Sequence, residues 1–251
     1  MTNQYQEYNK HFEPGEYLPF DEIDFSIIIN EIKKLPFFMD DTCLGMQAIN
    51  VGIVDNVIAQ YEKLLLDYYW RDDDTVNLVL TISALSQMWV YNLYEVLRLW
   101  KERYSDFKQL KELDDDPDTK NVTNNQKKRL EERYEKMVDD DPLNMTVITR
   151  KAQLKNYKSK PEYRDLIENT WDELGAVFSM VNVYRINLAK HEAPKKSNII
   201  PRNPGVPRIN IWCGAIDHDL IEHDGSYRTM NRRDIADALR LCLAKLNLQP
   251  V

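Results

Sequence analysis

VNLVLTISALSQMWVYNLYEVLRLWKERY, residues 76–104, decides the fold. It carries no charge before Glu95, and apolar side chains surround almost the whole helix as far as Leu99. A helix that is apolar all round has other helices on most sides, so this one reads as the centre of a helical bundle. Glu95 and Arg98, at i, i+3 spacing, are its first charges and suit a simple intrahelical pair. The aromatics Trp89, Tyr91, Tyr94 and Trp100 cover several faces and fit a core better than a base-stacking platform.

On the N-terminal side, Asp72, Asp73 and Asp74 followed by Thr75 suit the positive end of a helix. Residues 44–70 form a second long helix, with Ile49, Ile53, Val57, Tyr61, Leu64 and Leu65 lining one face. Residues 21–35 form a short amphipathic helix ended by Pro36. Residues 1–20 are an extended polar arm, with Tyr5, Tyr8, Phe12 and Tyr17 as docking points.

On the C-terminal side, 105–160 is a charged helical insertion. Surface helices are expected at 120–138 and 145–156, with acidic loops at 114–118 and 139–142. Residues 161–192 are a long helix that accepts Pro161 in its first turn. Four prolines (Pro194, Pro201, Pro204 and Pro207) then lead to a strand over 208–216. Asp224–Gly225 marks a turn, and 227–230 is a second strand of a hairpin. Asn231-Arg-Arg-Asp234 is a helix start ahead of a final amphipathic helix over 235–246. The expected class is mainly α: an arm (1–20), a bundle of long helices (21–192) with the charged insertion (105–160), and a small β-hairpin plus helix (193–251) packed on it.

Composition narrows the function. The chain has 251 residues, enough for one sizeable domain, and a formal charge of −8, so any nucleic acid would have to meet a local basic patch. Only 7 glycines, with neither GxxxxGK nor GxGxxG, argue against a Gly-rich phosphate-cradling fold. Cys43, Cys213 and Cys242 are widely spaced and lack a CxxC, which fits reduced, buried thiols of a cytoplasmic protein. The N-terminus lacks a signal-peptide core, and no run of about 20 uncharged apolar residues suggests a membrane span.

The chemistry concentrates in WDELGAVFSMVNVYRINLAKHE, residues 171–192. Arg185 sits on an apolar helix, where a guanidinium is costly to bury unless paired or used. Glu95 or Glu173 could be its structural partner. His191 sits where the helix must stop, because Pro194 disfavours helical geometry at Ala193, and the helix dipole favours an imidazolium there. Six residues of helix separate the two by about 9 Å along the axis and roughly 120° around it. Helical side chains lean toward the N-terminus, so Arg185 points away from His191. Two copies crossing about a twofold axis could bring each arginine to the partner's histidine. Arginine would hold a phosphate, and histidine would exchange a proton with a ribose 2′-hydroxyl or the leaving oxygen. Lys190, Lys195 and Lys196 add positive charge for substrate binding.

Arg185-Ile-Asn-Leu-Ala-Lys-His191 resembles the Arg–x(4–6)–His motif of the HEPN superfamily of α-helical domains, many of them metal-independent ribonucleases. The central helix with Trp89, Tyr94, Glu95 and Arg98, followed by a later helix bearing the motif near its end, is similar too. The resemblance covers roughly 44–104 and 160–192. It implies a homodimer whose shared cleft cuts RNA through Arg185 and His191, supported by Glu95, Arg98, Tyr94, Asn182 and Asn187. It implies no cofactor and no metal, and a toxin or defence role in which an antitoxin or other protein is a partner. The family usually has a polar residue directly after the arginine, whereas here Ile186 comes first and Asn187 follows. Family members without catalysis exist, so a nucleotide-binding or protein-interaction module is the alternative.

Other sites weigh less. Asp217-His218-Asp219 and Glu222-His223-Asp224 could offer metal ligands, but they read better as a solvated hairpin loop. The acidic triplets lack the EF-hand pattern. Ser83 and Ser86 lack a nucleophile elbow. Cys43 precedes a helix, where a thiol can be activated, though an incidental thiol is the better reading.

Overall fold

The computed structural model describes residues 17–115, 125, 128–129, 132, 145–189, 208–221 and 225–246. In chain order the elements are α1 (Ser26–Ile32), α2 (Thr42–Trp70), α3 (Val76–Asp115), α4 (Met145–Ser159), α5 (Pro161–Ala189), β1 (Arg208–Ile209), β2 (Ile216–Ile221), β3 (Tyr227–Met230) and α6 (Arg232–Lys245). The chain is mainly α, with a small antiparallel sheet of order β1-β2-β3.

Helix α3 is the axis. Its inner face buries Ile82, Trp89, Leu93, Val96, Trp100 and Phe107 against α2 and α5. Both buried indoles donate to backbone: Trp89 Nε1 to the Val51 carbonyl at 2.9 Å, and Trp100 Nε1 to the Pro36 carbonyl at 2.7 Å. These bonds fix α3 against α2 and against the turn after α1 and leave neither indole N–H orphaned in the core.

The helix does not stop at Tyr104. It continues to Asp115, with Phe107, Leu110 and Leu113 buried, so the first part of the expected charged insertion is core helix. Arg103 is buried and joins three segments. Its Nη2 donates to Asp41 at 3.0 Å and its Nη1 to Gln153 of α4 at 2.9 Å, while Gln153 reaches the Phe37 carbonyl at 3.3 Å. Helix α4 therefore docks on the bundle through Gln153 and Tyr157. The expected helix over 120–138 lies almost wholly outside the described residues.

Helix α2 corrects the expected apolar face. Its inner side carries Ala48, Val51, Asp55, Ile58, Glu62 and Leu65. Ile53, Val57, Tyr61 and Leu64 are exposed instead. Gly52 lies where α1 crosses: a Cβ there would sit 2.7 Å from the Ile29 nitrogen. By length and composition α2 could cross a membrane, but its inner face is packed in the bundle.

The sheet also departs from expectation. The stretch 208–216 is a two-residue strand, a tight turn and the first residue of β2. Gly214 has φ +70° in that turn, and a Cβ there would run into the Glu62 carbonyl. Asp217-His218-Asp219 belongs to β2 rather than to a loop, with His218 opposite Met230 of β3. Helix α6 starts as expected. Asn231 accepts from the Asp234 N–H, and Asp234 accepts from the Asn231 N–H, a reciprocal capping box.

Candidate functional site

Arg185 lies four residues from the end of α5 and leans on α3. Its guanidinium carbon sits 4.0 Å above the Tyr94 ring centroid. Tyr94 stacks in turn on Phe178 of α5 at 5.7 Å and 21°. Lys101 covers Phe178 from 4.7 Å, and Trp171 of α5 stacks on Trp100 at 5.9 Å. A ladder of rings and cations thus fills the α3–α5 seam, and Arg185 is its last rung.

The guanidinium has little else to hold it. Nη2 reaches Asn182 Oδ1 at 3.4 Å, a long bond along its own helix, and Nε is buried without a hydrogen-bond partner. Among the described residues no carboxylate is within ion-pair distance of Arg185. The two expected partners are engaged elsewhere: Glu95 holds Arg98 at 2.7 Å, and Glu173 lies 3.7 Å from Lys245 of α6. A structural ion pair of Arg185 with Glu95 or Glu173 therefore has no basis in the described residues.

Glu95 and Arg98 do not orient Arg185. Arg98 bridges Glu95 and Glu102 along the outer face of α3, at 2.7 and 2.6 Å. Both carboxylates push the Arg98 pKa up by accepting its hydrogen bonds. Asn187 is also committed. Its Nδ2 donates to the Ile221 carbonyl at 3.0 Å and its Oδ1 accepts from the Ile221 N–H at 2.8 Å. This side chain fastens α5 to the end of β2, as a neighbouring strand would. Tyr94, Asn182 and Arg185 are thus brought together, and Glu95, Arg98 and Asn187 are not part of that group. His191, Lys190, Lys195 and Lys196 lie outside the described residues, as do Glu222, His223 and Asp224.

Two polar clusters escaped the sequence reading. Arg232 of α6 is fully buried, bonded to Glu62 through Nε (3.0 Å) and Nη2 (2.6 Å) and to Asp55 through Nη1. Arg240 closes the group on Asp55 and on Asp237. Asp55 and Glu62, seven residues apart on one face of a helix that is otherwise uncharged from 42 to 61, were the visible signal. The second cluster surrounds the start of α6. Tyr17 donates to Asp234 at 2.7 Å, and Asn231 Nδ2 donates to Asp217 at 2.8 Å and to Tyr17 at 3.1 Å. Burial pushes the Asp234 pKa up to about 6 and raises that of Asp217. His218 is buried edge-on to Tyr184 at 5.5 Å, and burial holds its pKa below the usual imidazole range. The first cluster fastens α6 to α2, and the second fastens the start of α6 to β2 and to Tyr17; Arg240 Nε and His218 Nε2 are buried without a hydrogen-bond partner.

No group of three or more His, Cys, Asp or Glu among the described residues is placed to hold a metal ion. Cys213 and Cys242 are buried free thiols, while Cys43 is exposed rather than buried. Ser86 is buried with an unpartnered hydroxyl on the inner face of α3. No family model, curated protein or solved structure matches the chain.

Proposed function

We propose that the chain is a HEPN-like endoribonuclease that works without a metal, with Arg185 holding the scissile phosphate and His191 moving the proton. One observation supports this most: Arg185 is half-buried on a ring, with an unpartnered Nε and no carboxylate among the described residues. A guanidinium desolvated without a counter-charge is costly unless an anion arrives from outside. A phosphodiester meets that need with paired oxygens for its planar donors. His191 would take the proton of the ribose 2′-hydroxyl as that oxygen attacks phosphorus. The proton would then go to the departing 5′-oxygen, leaving a cyclic phosphate. A helix carried on to His191 would turn the two side chains apart, so the reading calls for two copies, each supplying one group to a shared cleft.

A non-catalytic RNA- or nucleotide-binding module is the second reading. It is favoured by Asn187, whose side chain is spent on β2. The test is cleavage of a single-stranded RNA in EDTA. Wild type is expected to cut, and both Arg185→Ala and His191→Ala to lose at least about 100-fold in rate. Variants that cut like the parent would sink the nuclease reading. No cutting by any form, with RNA binding retained, would leave the binding module.

A further inference from the structure

Arg185 is one end of a stack whose other end is Lys101. The guanidinium lies on Tyr94, Tyr94 stacks on Phe178, and Lys101 Nζ lies over Phe178 at 4.7 Å. These contacts run in series, so the two cations are at most about 14 Å apart. Register sets their order. Tyr94 and Lys101 are seven residues apart on α3, and Phe178 and Arg185 seven apart on α5, which is two turns or about 10 Å along one face in each helix. Contacts that step up α3 step down α5: Tyr94 meets Arg185 and Phe178, Lys101 meets Phe178 and Trp171, and Tyr104 meets Trp171. The helices are antiparallel, and the stack follows a single seam.

Lys101 shares the condition of Arg185. It is half-buried on two rings, at 4.7 and 5.3 Å, and no carboxylate among the described residues is within ion-pair distance of it. Other lysines of the bundle do hold carboxylates: Lys34 holds Glu31, Lys111 holds Asp115 and Lys158 holds Asp114. Beside Lys101 on α3, Glu95 and Glu102 are taken by Arg98. Farther along, Lys108 reaches Tyr104 at 6.0 Å, but Glu168 and Asp172 of α5 act on that same tyrosine. The uncompensated stretch of the seam therefore runs from Arg185 to Lys101. Gly175 stands on α5 between Trp171 and Phe178, the two rings under Lys101, and a Cβ there would meet nothing within 4 Å. No packing contact calls for glycine at this mid-helix position, where it is disfavoured, and the helix surface between those rings has room for a ribose-phosphate.

We infer that Lys101 is a second phosphate-binding residue, which holds an RNA strand along the α3–α5 seam at a phosphate beyond the one on Arg185. The inference rests on the reading of Arg185 as a phosphate holder. A desolvated cation on a ring lacks a counter-charge at both ends of the stack, and one polyanion with phosphates at regular spacing supplies both. The rings between them are engaged with each other and with the cations, so they offer no platform for a base. The strand is held through its backbone, whatever its bases.

Fluorescence anisotropy tests this with 2′-O-methyl octamers of uridine and of adenosine, titrated with the full chain over a salt series. Lys101→Gln is expected to bind both octamers about 5- to 10-fold more weakly, with a salt slope shallower by about one and helical circular dichroism unchanged. Lys101→Arg keeps the charge and is expected to bind as the parent does. Unchanged affinity and slope in Lys101→Gln would overturn the inference. So would a loss confined to one of the two octamers, or an equal loss in Lys101→Arg. If Arg185→Ala loses affinity and Lys101→Gln does not, this inference falls and the reading of Arg185 stands. If wild type binds neither octamer, both fall.

Discussion

Arg185 is a cation whose own fold offers a ring and an amide but no counter-charge. Arg185→Ala should therefore cost only the ring contact, about 0.5–1 kcal/mol, read as a small shift of the urea midpoint. A loss of 3 kcal/mol or more would reveal a carboxylate left stranded. His218 carries a pH prediction. Burial holds its folded pKa below the ordinary value near 6.5, with Asp219 opposing in part. Below about pH 6.5 the unfolded chain takes up a proton that the folded chain refuses, so this contribution is complete above that pH and is lost as pH falls. The stability of wild type minus that of His218→Leu should shrink between about pH 7.5 and pH 5.5. A difference that is flat across that window would show His218 free to ionise in the fold. Arg185 itself was legible in the sequence as an isolated charge on an apolar helix. Tyr94, read from the sequence as a core aromatic, was tied to Arg185 only through the family resemblance, because a contact across the α3–α5 seam leaves no mark in local spacing.

At the scale of elements, α2 shows where pattern reading fails. Its exposed side has as many large apolar residues as its buried one, and the buried side holds two carboxylates, so the more apolar stripe pointed outward. The carboxylates are tolerated because α6 brings Arg232 and Arg240 from the far end of the sequence. Arg232→Met would leave Glu62 uncompensated in the core and Asp55 with Arg240 alone, and should cost about 3–5 kcal/mol in chemical denaturation. A loss under 1 kcal/mol would mean that water reaches the pair. Gly52→Ala should also destabilise, because its Cβ would press on backbone of α1 rather than on a yielding side chain. The ends of α6 were readable, since capping chemistry is local. The sheet was readable only at β3, over 227–230: β2 carries the polar run Asp217-His218-Asp219, and only its pairing with β1 and β3 shows that it is a strand.

At the scale of the molecule, the mainly α architecture followed from 76–104 and 161–192, where long periodic segments leave few alternatives. The reach of α3 to Asp115 was hidden because Phe107, Leu110 and Leu113 lie among charged neighbours that face water. An acidic chain of net −8 can hold RNA only where a local cation is free of an internal counter-charge, and Arg185 has none among the described residues. The most direct measurement titrates a 2′-O-methyl RNA, which cannot be cut through its 2′-oxygen, against wild type and Arg185→Ala over a salt series. The expected result is binding weaker by about 10-fold or more in the variant, with a salt slope shallower by about one. Equal affinity and equal slope would contradict the claim that Arg185 is kept for a phosphate.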